Sequence, residues 1–218
     1  MLKLVILDLD GLMLDTERIY LSAFSTVCAR FGLPDHRDIY LKTIGADDEQ
    51  ERILYGAAFP HIDSNLFLDE IQAVSAQMIE DGHLTVKPGL FKLLDAIDQM
   101  GGILKAVVTS SLEEVSLKLL AQNGILHRLD GGIYREMVSN GKPAPDSHLL
   151  CCRMFSVSPG DALVLEDSEN GLRAAQAAGI PAIAVPDLLE PSADILSRCL
   201  ARCGDLEEVI PWLEEINK

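Results

Sequence analysis

The sequence predicts an α/β protein built on a Rossmann-like, doubly wound parallel sheet. Short runs that are nearly continuous in apolar residues alternate with segments of helical periodicity, which is the order expected of βαβ units. Strands that helices cover on both faces need such continuous apolar runs, so the sheet is expected to be parallel. The predicted strands are 3–8, 103–109, 162–166 and 180–185, with a weaker candidate near 130–134. The predicted helices between them are 89–100, 112–123, 146–155 and 169–178.

One long segment interrupts this alternation after the first strand. It carries no convincing strand pattern, and it is too long for a simple crossover connection. Helical patterns there cover 17–31, 47–57 and 65–80. We therefore predict a helical cap domain at 16–83, inserted into a core domain that consists of 1–15 and 84–218.

The composition restricts the classes of molecule that the protein can bind and favours one cellular location. With 34 acidic and 18 basic residues, the net charge of −16 argues against nucleic acid and membranes as partners. The sequence shows no apolar run long enough to cross a bilayer and no signal-peptide pattern. Five cysteines form no paired framework, which favours reduced thiols and a cytoplasmic protein. No obligate protein partner is evident from the sequence.

The first predicted strand runs into Asp8-Leu9-Asp10-Gly11, and Asp15 follows shortly after. Side chains alternate along a strand, so Asp8 and Asp10 would point the same way if the chain stays extended that far. Two buried carboxylates repel each other unless a cation cancels their charge. Asp8 is a candidate nucleophile or metal ligand and Asp10 a candidate acid/base, while Gly11 permits a turn. The alternative is a loop of solvated acids.

A hydroxyl-rich turn, Thr109-Ser110-Ser111, follows the second predicted strand. Hydroxyl groups and free N–H groups between a strand and a helix can bind a phosphate or an oxyanion. The alternative is an ordinary helix start, because Ser111 with Glu114 fits a capping box.

A single lysine lies in the stretch Asn140-Gly141-Lys142-Pro143-Ala144-Pro145-Asp146. Because Lys142 lies between Gly and Pro, a stiff loop could present its charge at a fixed position. The alternative is a lysine that faces solvent. Asp146 is predicted to cap the helix that follows.

A second pair of acids, Glu166 and Asp167, ends the strand predicted at 162–166 and precedes a helix. Hard cations such as Mg²⁺ bind carboxylate oxygens and keep several waters, although solvated surface acids are again the alternative. Together the four motifs supply metal ligands, a nucleophile, an anion cradle and a fixed cation. This set suits phosphoryl transfer at the carboxyl ends of parallel strands.

These motifs resemble those of the haloacid dehalogenase (HAD) superfamily. The matching stretches are DLDGLMLDTE (8–17), VVTSS (107–111), GKPAPD (141–146) and LEDSENG (165–171). The resemblance is to the subgroup of phosphatases and β-phosphoglucomutases with a helical cap after the first strand, and it spans nearly the whole chain. It implies a Mg²⁺-dependent, HAD-type phosphoric monoester hydrolase that acts on a small phosphorylated metabolite, such as a sugar phosphate.

The resemblance also implies roles for individual residues. Asp8 would be the nucleophile that forms an aspartyl-phosphate, Asp10 the general acid/base, and Lys142 the cation that neutralises Asp8 and the phosphate. The phosphate-binding residues would be Thr109, Ser110, Ser111 and Gly11. The Mg²⁺ ligands would be Asp8, Asp10 through its backbone carbonyl, Glu166 and Asp167.

The motifs and the cap separate the activities of this family. Dehalogenation is disfavoured, because enzymes of that type lack the second acid of the first motif and need no metal. Mutases of the family hold a second phosphate with cap side chains, and the matching positions here are Tyr20, Ile44 and Asp48. A phosphatase is therefore predicted, with a β-phosphoglucomutase-like phosphomutase and a non-catalytic binding protein as alternatives. Candidate cap contacts to the substrate are Glu17, Tyr20, Lys42 and Arg52.

Overall fold

The computed structural model describes residues 1–34 and 36–218, which form ten α-helices and one six-stranded sheet. The strands are β1 (Leu4–Leu7), β2 (Leu104–Val108), β3 (Gly131–Ile133), β4 (Ala162–Glu166), β5 (Ala182–Ala184) and β6 (Ala201–Arg202). The helices are α1 (Thr16–Arg30), α2 (Arg37–Tyr40), α3 (Asp48–Ala58), α4 (Ser64–Glu80), α5 (Leu90–Met100), α6 (Glu113–Gln122), α7 (Asp146–Met154), α8 (Glu169–Ala177), α9 (Ala193–Leu196) and α10 (Ile210–Ile216).

The sheet has the strand order β3-β2-β1-β4-β5-β6, and its neighbouring strands pair in parallel. From the central β1 the chain winds outward to β3, crosses back to β4 and winds outward to β6 on the other side. This doubly wound order leaves a crevice at the carboxyl ends of β1, β2 and β4, where open α/β sheets bind ligands. The predicted α/β fold class is confirmed.

Alternating residues of β1 face opposite sides of the sheet, and both sides are covered. Val5 and Leu7 belong to an apolar cluster that includes residues of α5, α6 and α10. Leu4 and Ile6 belong to a second cluster that includes residues of α7 and α8. Burial on both faces explains why the strand is apolar throughout.

The four helices α1 to α4, which we call the helical insertion (residues 16–80), lie between β1 and β2 in the chain. Their apolar side chains form a third cluster, separate from the two on the sheet. At its centre the Phe24 ring lies 5.7 Å from the rings of both Tyr40 and Tyr55, measured between centroids. The insertion agrees with the expected cap, while the domain bounds at 16 and 83 stay a prediction.

The structure differs from the sequence-based expectations at the short elements. The helices α2 and α9 have four residues each and β6 has two, too few to show a periodic pattern. The strand β1 ends at Leu7, so Asp8 lies just beyond the strand rather than in it. None of the helices in the described part of the chain combines the length and the apolar composition needed to cross a bilayer.

Candidate active site

The sheet register brings the first and last sequence motifs together. Leu7 at the end of β1 is aligned with Val107 on β2 and with Leu165 on β4. The next residue, Asp8, therefore lies beside the end of β4, and its backbone N–H donates to the carbonyl of Leu165 at 3.2 Å. Parallel strands that end at one edge thus gather the acids that follow them.

Lys142 contacts two of these acids. Its Nζ lies 2.5 Å from Oδ1 of Asp8 and 2.7 Å from Oε2 of Glu166. The side chain is only 4% exposed, which excludes the solvent-facing alternative. Burial alone would lower the pKa of Lys142, but the charges of Asp8 and Glu166 outweigh burial and raise that pKa above its ordinary range. Lys142 is therefore a buried permanent cation.

One ammonium group does not balance the acids around it. Asp8, Glu166 and Asp167 each offer a carboxylate oxygen, and these oxygens lie within 4.8 Å of one another. Burial, together with the neighbouring charge of Glu166, raises the pKa of both Asp8 and Asp167. The Oδ1 atom of Asp167 is buried and has no hydrogen-bond partner among residues 1–34 and 36–218. An excess of buried carboxylate charge with an unpartnered oxygen fits a hard cation, so this cluster could hold a metal ion.

Gly11 is required by the packing against Asp167. Its φ of +79° is a conformation that other residues rarely adopt, and a Cβ at this position would lie 2.3 Å from Oδ2 of Asp167. The glycine of the first motif therefore lets the chain turn directly against the acid cluster. This gives it a steric role next to the predicted phosphate site.

The hydroxyl-rich turn contacts Asp10. Oγ of Ser111 donates to Oδ2 of Asp10 at 2.7 Å, and Oγ1 of Thr109 donates to the same atom at 3.3 Å. The other oxygen of Asp10, Oδ1, is buried without a hydrogen-bond partner in the described chain. Ser110 is half-buried and lines the same cavity as these groups. The turn is therefore positioned to orient Asp10 and to face a ligand.

Two sequence-based cap assignments are wrong. Ser111 does not cap α6, because that helix begins at Glu113 with Leu112 as its N-cap residue. The Ser111 hydroxyl instead bonds Asp10, a partner one hundred and one positions away in the chain. Asp146 is the first residue of α7 rather than its cap, and it accepts a hydrogen bond from Asn140.

Two residues that the sequence analysis did not single out hold Glu166. The N–H and the hydroxyl of Ser168 both donate to Oε1 of Glu166, at 3.1 and 2.8 Å. Position 171 must be glycine, because a Cβ there would lie 1.9 Å from Oε2 of Glu166. Both oxygens of Glu166 thus have protein donors, in contrast to Asp167. Ser168 is also the N-cap of α8, so a capping pattern was the signal that could have identified it.

A cavity of about 370 Å³ lies between these groups and the helical insertion. Of the cap contacts expected from the sequence, Glu17 and Tyr20 line it. Lys42 instead lines a separate, smaller cavity, and Arg52 pairs with Asp48 at 3.8 Å. Other residues of the insertion that line the cavity include Tyr40, Asp48, Glu51 and Tyr55. Tyr40 and Glu51 belong to no motif, so no sequence signal could have identified them.

The loop before α3 docks the insertion onto the sheet domain. Oδ2 of Asp47 pairs with Nε of Arg135 at 2.7 Å. Gln50 donates to the backbone carbonyl of Lys142 at 3.4 Å. At Gly45, a Cβ would lie 2.7 Å from Oγ of Ser168, so the loop packs against the residue that bonds Glu166. These contacts close the cavity on the side of Lys142.

Comparisons with known proteins identify the family of the chain. The family model described as haloacid dehalogenase-like hydrolase matches residues 5–185. The chain is 31% identical over 187 residues to the fructose-1-phosphate phosphatase YqaB of Escherichia coli, covering 83% of this chain and 95% of the relative. It is 26% identical to a phosphorylated carbohydrates phosphatase of Thermotoga maritima, covering 99% of this chain and all of the relative.

Solved structures show the same likeness. A Thermotoga maritima crystal structure, described as a candidate β-phosphoglucomutase, matches with a TM-score of 0.78 and 27% identity, covering 99% of this chain and 100% of that one. A HAD-like protein of Agrobacterium tumefaciens matches with a TM-score of 0.81 at 20% identity and shows the fold alone. The chain belongs to the haloacid dehalogenase-like hydrolase family, which confirms the resemblance and the predicted enzyme class, a HAD-type phosphoric monoester hydrolase.

Proposed function

We propose that this protein is a Mg²⁺-dependent phosphatase that hydrolyses the monophosphate ester of a small metabolite through a phosphorylated Asp8. The observation that carries the proposal is the contact between Lys142 and Asp8, at 2.5 Å inside a buried cluster of acids. A carboxylate attacks a phosphate dianion only if positive charge first offsets the repulsion. Relatives that are named phosphatases support the same reaction class.

The reaction has two steps, and each uses the same pair of aspartates. Oδ of Asp8 attacks phosphorus, the bond from phosphorus to the ester oxygen breaks, and Asp10 gives its proton to the departing alcohol. Asp10 then takes a proton from water, which attacks phosphorus, breaks the bond to Asp8 and releases inorganic phosphate. The free Oδ1 of Asp10 supports this role, because its other oxygen is already bonded by Ser111.

The chain's other polar groups bind and orient the phosphoryl group. We assign the Thr109 hydroxyl and the Ser110 N–H to the phosphoryl oxygens, with Ser111 and Gly11 completing the surface. Lys142 neutralises Asp8 and the phosphate throughout, since its pKa lies above the ordinary range and it does not lose its proton.

We assign Mg²⁺ to Asp8, Asp167 and the backbone carbonyl of Asp10. When bound, it would supply positive charge that stabilises the phosphoryl oxygens in the transition state. Glu166 is the fourth predicted ligand, and its two oxygens are engaged by Lys142 and Ser168. We therefore assign Glu166 to holding Lys142 beside the metal site.

We further propose that 16–83 acts as a cap domain over a core of 1–15 and 84–218. Two chain segments, near 11–16 and 82–88, would serve as hinges, and closure would exclude water while Asp8 is attacked. The substrate would be a small phosphorylated metabolite of the cytoplasm.

A β-phosphoglucomutase-like phosphomutase is the second candidate, and the likeness to the Thermotoga maritima structure favours it. A mutase must hold a second phosphate with positive charge from the cap. Of the described residues that line the cavity, Lys142 is the only cation, and it belongs to the sheet domain. Water should therefore reach phosphorylated Asp8 before a second sugar phosphate does. Tyr20 and Asp48, at two of the three matching positions, line the cavity without positive charge.

Phosphate release by wild type, Asp8→Asn and the matched control Asp69→Asn tests the proposal. The substrates are a panel of sugar and polyol monophosphates with Mg²⁺. Asp69 is exposed on α4, so its variant should match wild type, whereas Asp8→Asn should lose at least about a thousandfold in turnover while it stays folded. Substantial phosphate release by Asp8→Asn contradicts the assignment of the nucleophile. A folded wild type that hydrolyses no ester indicates the non-catalytic alternative.

The mutase is tested separately with β-glucose 1-phosphate and a trace of the 1,6-bisphosphate. We expect free phosphate as the main product. Efficient formation of glucose 6-phosphate, with phosphate release as a side reaction, would favour the mutase over the phosphatase.

A further inference from the structure

The side of the cavity formed by the helical insertion carries only negative titratable charge. Its acidic members are Glu17, Asp48 and Glu51, and no lysine, arginine or histidine of the described insertion residues joins them. Asp48 is compensated, because Arg52 and Gln72 contact its carboxylate. The other two acids differ in this respect.

Glu17 is buried with one open carboxylate oxygen. The residue is 6% exposed, and its Oε2 accepts a 2.5 Å hydrogen bond from the hydroxyl of Tyr40. Among residues 1–34 and 36–218, no donor bonds its Oε1, and no basic side chain pairs with it. Burial raises the pKa of Glu17 to about 7. The charge of Asp10 also contributes to the raised pKa of Glu17, so Glu17 lies near the residue proposed to protonate the leaving group.

Glu51 has no hydrogen-bond or ion-pair partner in the described chain, and the positive charge that acts on it is that of Arg52, which pairs with Asp48. Glu51 is half-buried on α3. Burial, followed by the charges of Asp48 and Glu17, raises the pKa of Glu51 to about 8. Glu17 and Glu51 therefore face the same end of the cavity. With their pKa values raised in this way, both groups are largely protonated while the site is empty, and they ionise when a cation binds beside them. Proteins place groups with such raised pKa values mainly at functional sites.

The chemistry of a ligand that matches this end is restricted. A second phosphate or a carboxylate would be repelled. A hydroxyl group could form hydrogen bonds with the two carboxyl groups but would not stabilise their ionised forms. A protonated amine supplies up to three donors and the missing positive charge, and the rings of Tyr20, Tyr40 and Tyr55 on the cavity wall can also contact a cation favourably.

We propose that the leaving group of the substrate carries a protonated amine that binds between Glu17 and Glu51, so that the substrates are phosphate monoesters of amino alcohols or amino sugars. The proposal rests on the proposed phosphatase function and deepens it. A neutral polyol phosphate is the competing ligand, and the experiment separates the two.

The test uses two pairs of substrates in which an amine replaces a hydroxyl group. One pair is glucosamine 6-phosphate and glucose 6-phosphate, and the other is O-phosphoethanolamine and ethylene glycol monophosphate. Wild type should favour the amine in at least one pair by about tenfold or more in kcat/KM. In Glu51→Gln that ratio should fall towards one, whereas Glu49→Gln, an exposed residue of the same helix, should keep the wild-type ratio.

The ratio distinguishes recognition from a structural effect, since a structural defect lowers both members of a pair alike. Equal rates or a preference for the hydroxyl compound in both pairs would overturn the proposal, and this result needs no variant. An amine preference that Glu51→Gln leaves unchanged would also overturn it. If wild type releases no phosphate from any ester, the proposed function itself fails, which is a different outcome from hydrolysis without amine preference.

Discussion

The hydroxyl of Ser111 donates a 2.7 Å hydrogen bond to Oδ2 of Asp10. Thr109 donates to the same oxygen at the longer distance of 3.3 Å. The two bonds fix one face of the carboxyl group, so that Oδ1 is left for the proton that the reaction moves. Positioned general acids and bases of this kind contribute about a hundredfold to ten-thousandfold to turnover.

Ser111→Ala should therefore lower kcat by about tenfold to a hundredfold while KM changes little, since part of the Asp10 contribution is lost. The loss should be smaller with p-nitrophenyl phosphate, whose leaving group needs little help from a proton. Steady-state phosphate release with an alkyl phosphate and with this aryl phosphate measures both effects. Equal losses of kcat/KM, which reports the attack of Asp8 and not the later hydrolysis of phosphorylated Asp8, would argue that Ser111 positions the phosphate rather than Asp10.

Mg²⁺ should stabilise the fold as well as support turnover. Binding at about one hundred times the dissociation constant adds about 2.7 kcal/mol, which corresponds to a rise in Tm of roughly 5–10 °C for a chain of this size. The rise should grow with pH, because burial raises the pKa of Asp167 and the metal must displace a proton. Calorimetry or fluorescence melting with Mg²⁺, and with EDTA followed by Mg²⁺, measures it.

The matched variants for this effect are Asp167→Asn and Asp69→Asn. The first removes the buried unpartnered carboxylate and should abolish the shift in Tm, whereas the second is exposed on α4 and should keep it. A full shift in Asp167→Asn would put the metal elsewhere. Full activity after thorough chelation would remove the metal from the reaction.

The parts of the site that could be predicted are those whose functional residues lie close together in the sequence, in short motifs. Asp8 and Asp167 each follow an apolar strand, and parallel strands end at one edge, so their meeting follows from topology. Lys142 was singled out for its rigid loop, and the resemblance then assigned it to Asp8. The long helices were predictable because nine or more residues repeat the helical pattern, which the four residues of α2 or of α9 cannot do.

Contacts between the insertion and the sheet domain were not predictable. Asp47 and Arg135 lie 88 positions apart, and nothing in either local pattern marks the other. Even within a motif, the partner of a side chain could not always be predicted. The hydroxyl of Ser111 could cap the local helix or bond the distant Asp10, and the sequence does not distinguish the two. The hydroxyl bonds the aspartate, because tertiary packing places the half-buried carboxylate of Asp10 beside it, where that carboxylate needs a donor.

His148 should make the protein less stable in acid. It is 1% exposed on α7, and burial, followed by the charge of Lys142, lowers its pKa to about 3 from an ordinary value of 6.5. Between these values the unfolded chain binds a proton that the folded chain does not. The free energy of unfolding therefore falls as pH falls from 6.5, by up to about 1.4 kcal/mol for each pH unit.

His148→Leu should flatten this dependence, and the exposed His83→Gln should not. Urea unfolding at a series of pH values from about 7 to about 5 measures the slope, and contributions from the acid cluster are common to all three proteins. A slope in His148→Leu equal to that of wild type would show that the histidine does not govern this range.

The ion pair between Asp47 and Arg135 should favour the closed arrangement of the insertion. It joins the loop before α3 to the sheet domain at 2.7 Å, and Asp47 also accepts the capping bond from the N–H of Gln50. Arg135→Met keeps most of the side-chain volume and removes the charge. If the closed form loses about 1–2 kcal/mol, KM should rise by roughly tenfold, and it should rise alike for amine and hydroxyl substrates.

A double-mutant cycle identifies the pair as the cause. Asp47→Asn keeps an acceptor for the capping bond while it weakens the contact to Arg135, so the two single changes should not add in the double variant. Solution scattering should show a more open Arg135→Met protein than wild type when both contain a phosphate analogue. Additive effects on KM, or identical scattering with and without the substitution, would mean that the contact holds the loop without controlling closure. A loss confined to amine substrates would assign Arg135 to recognition instead.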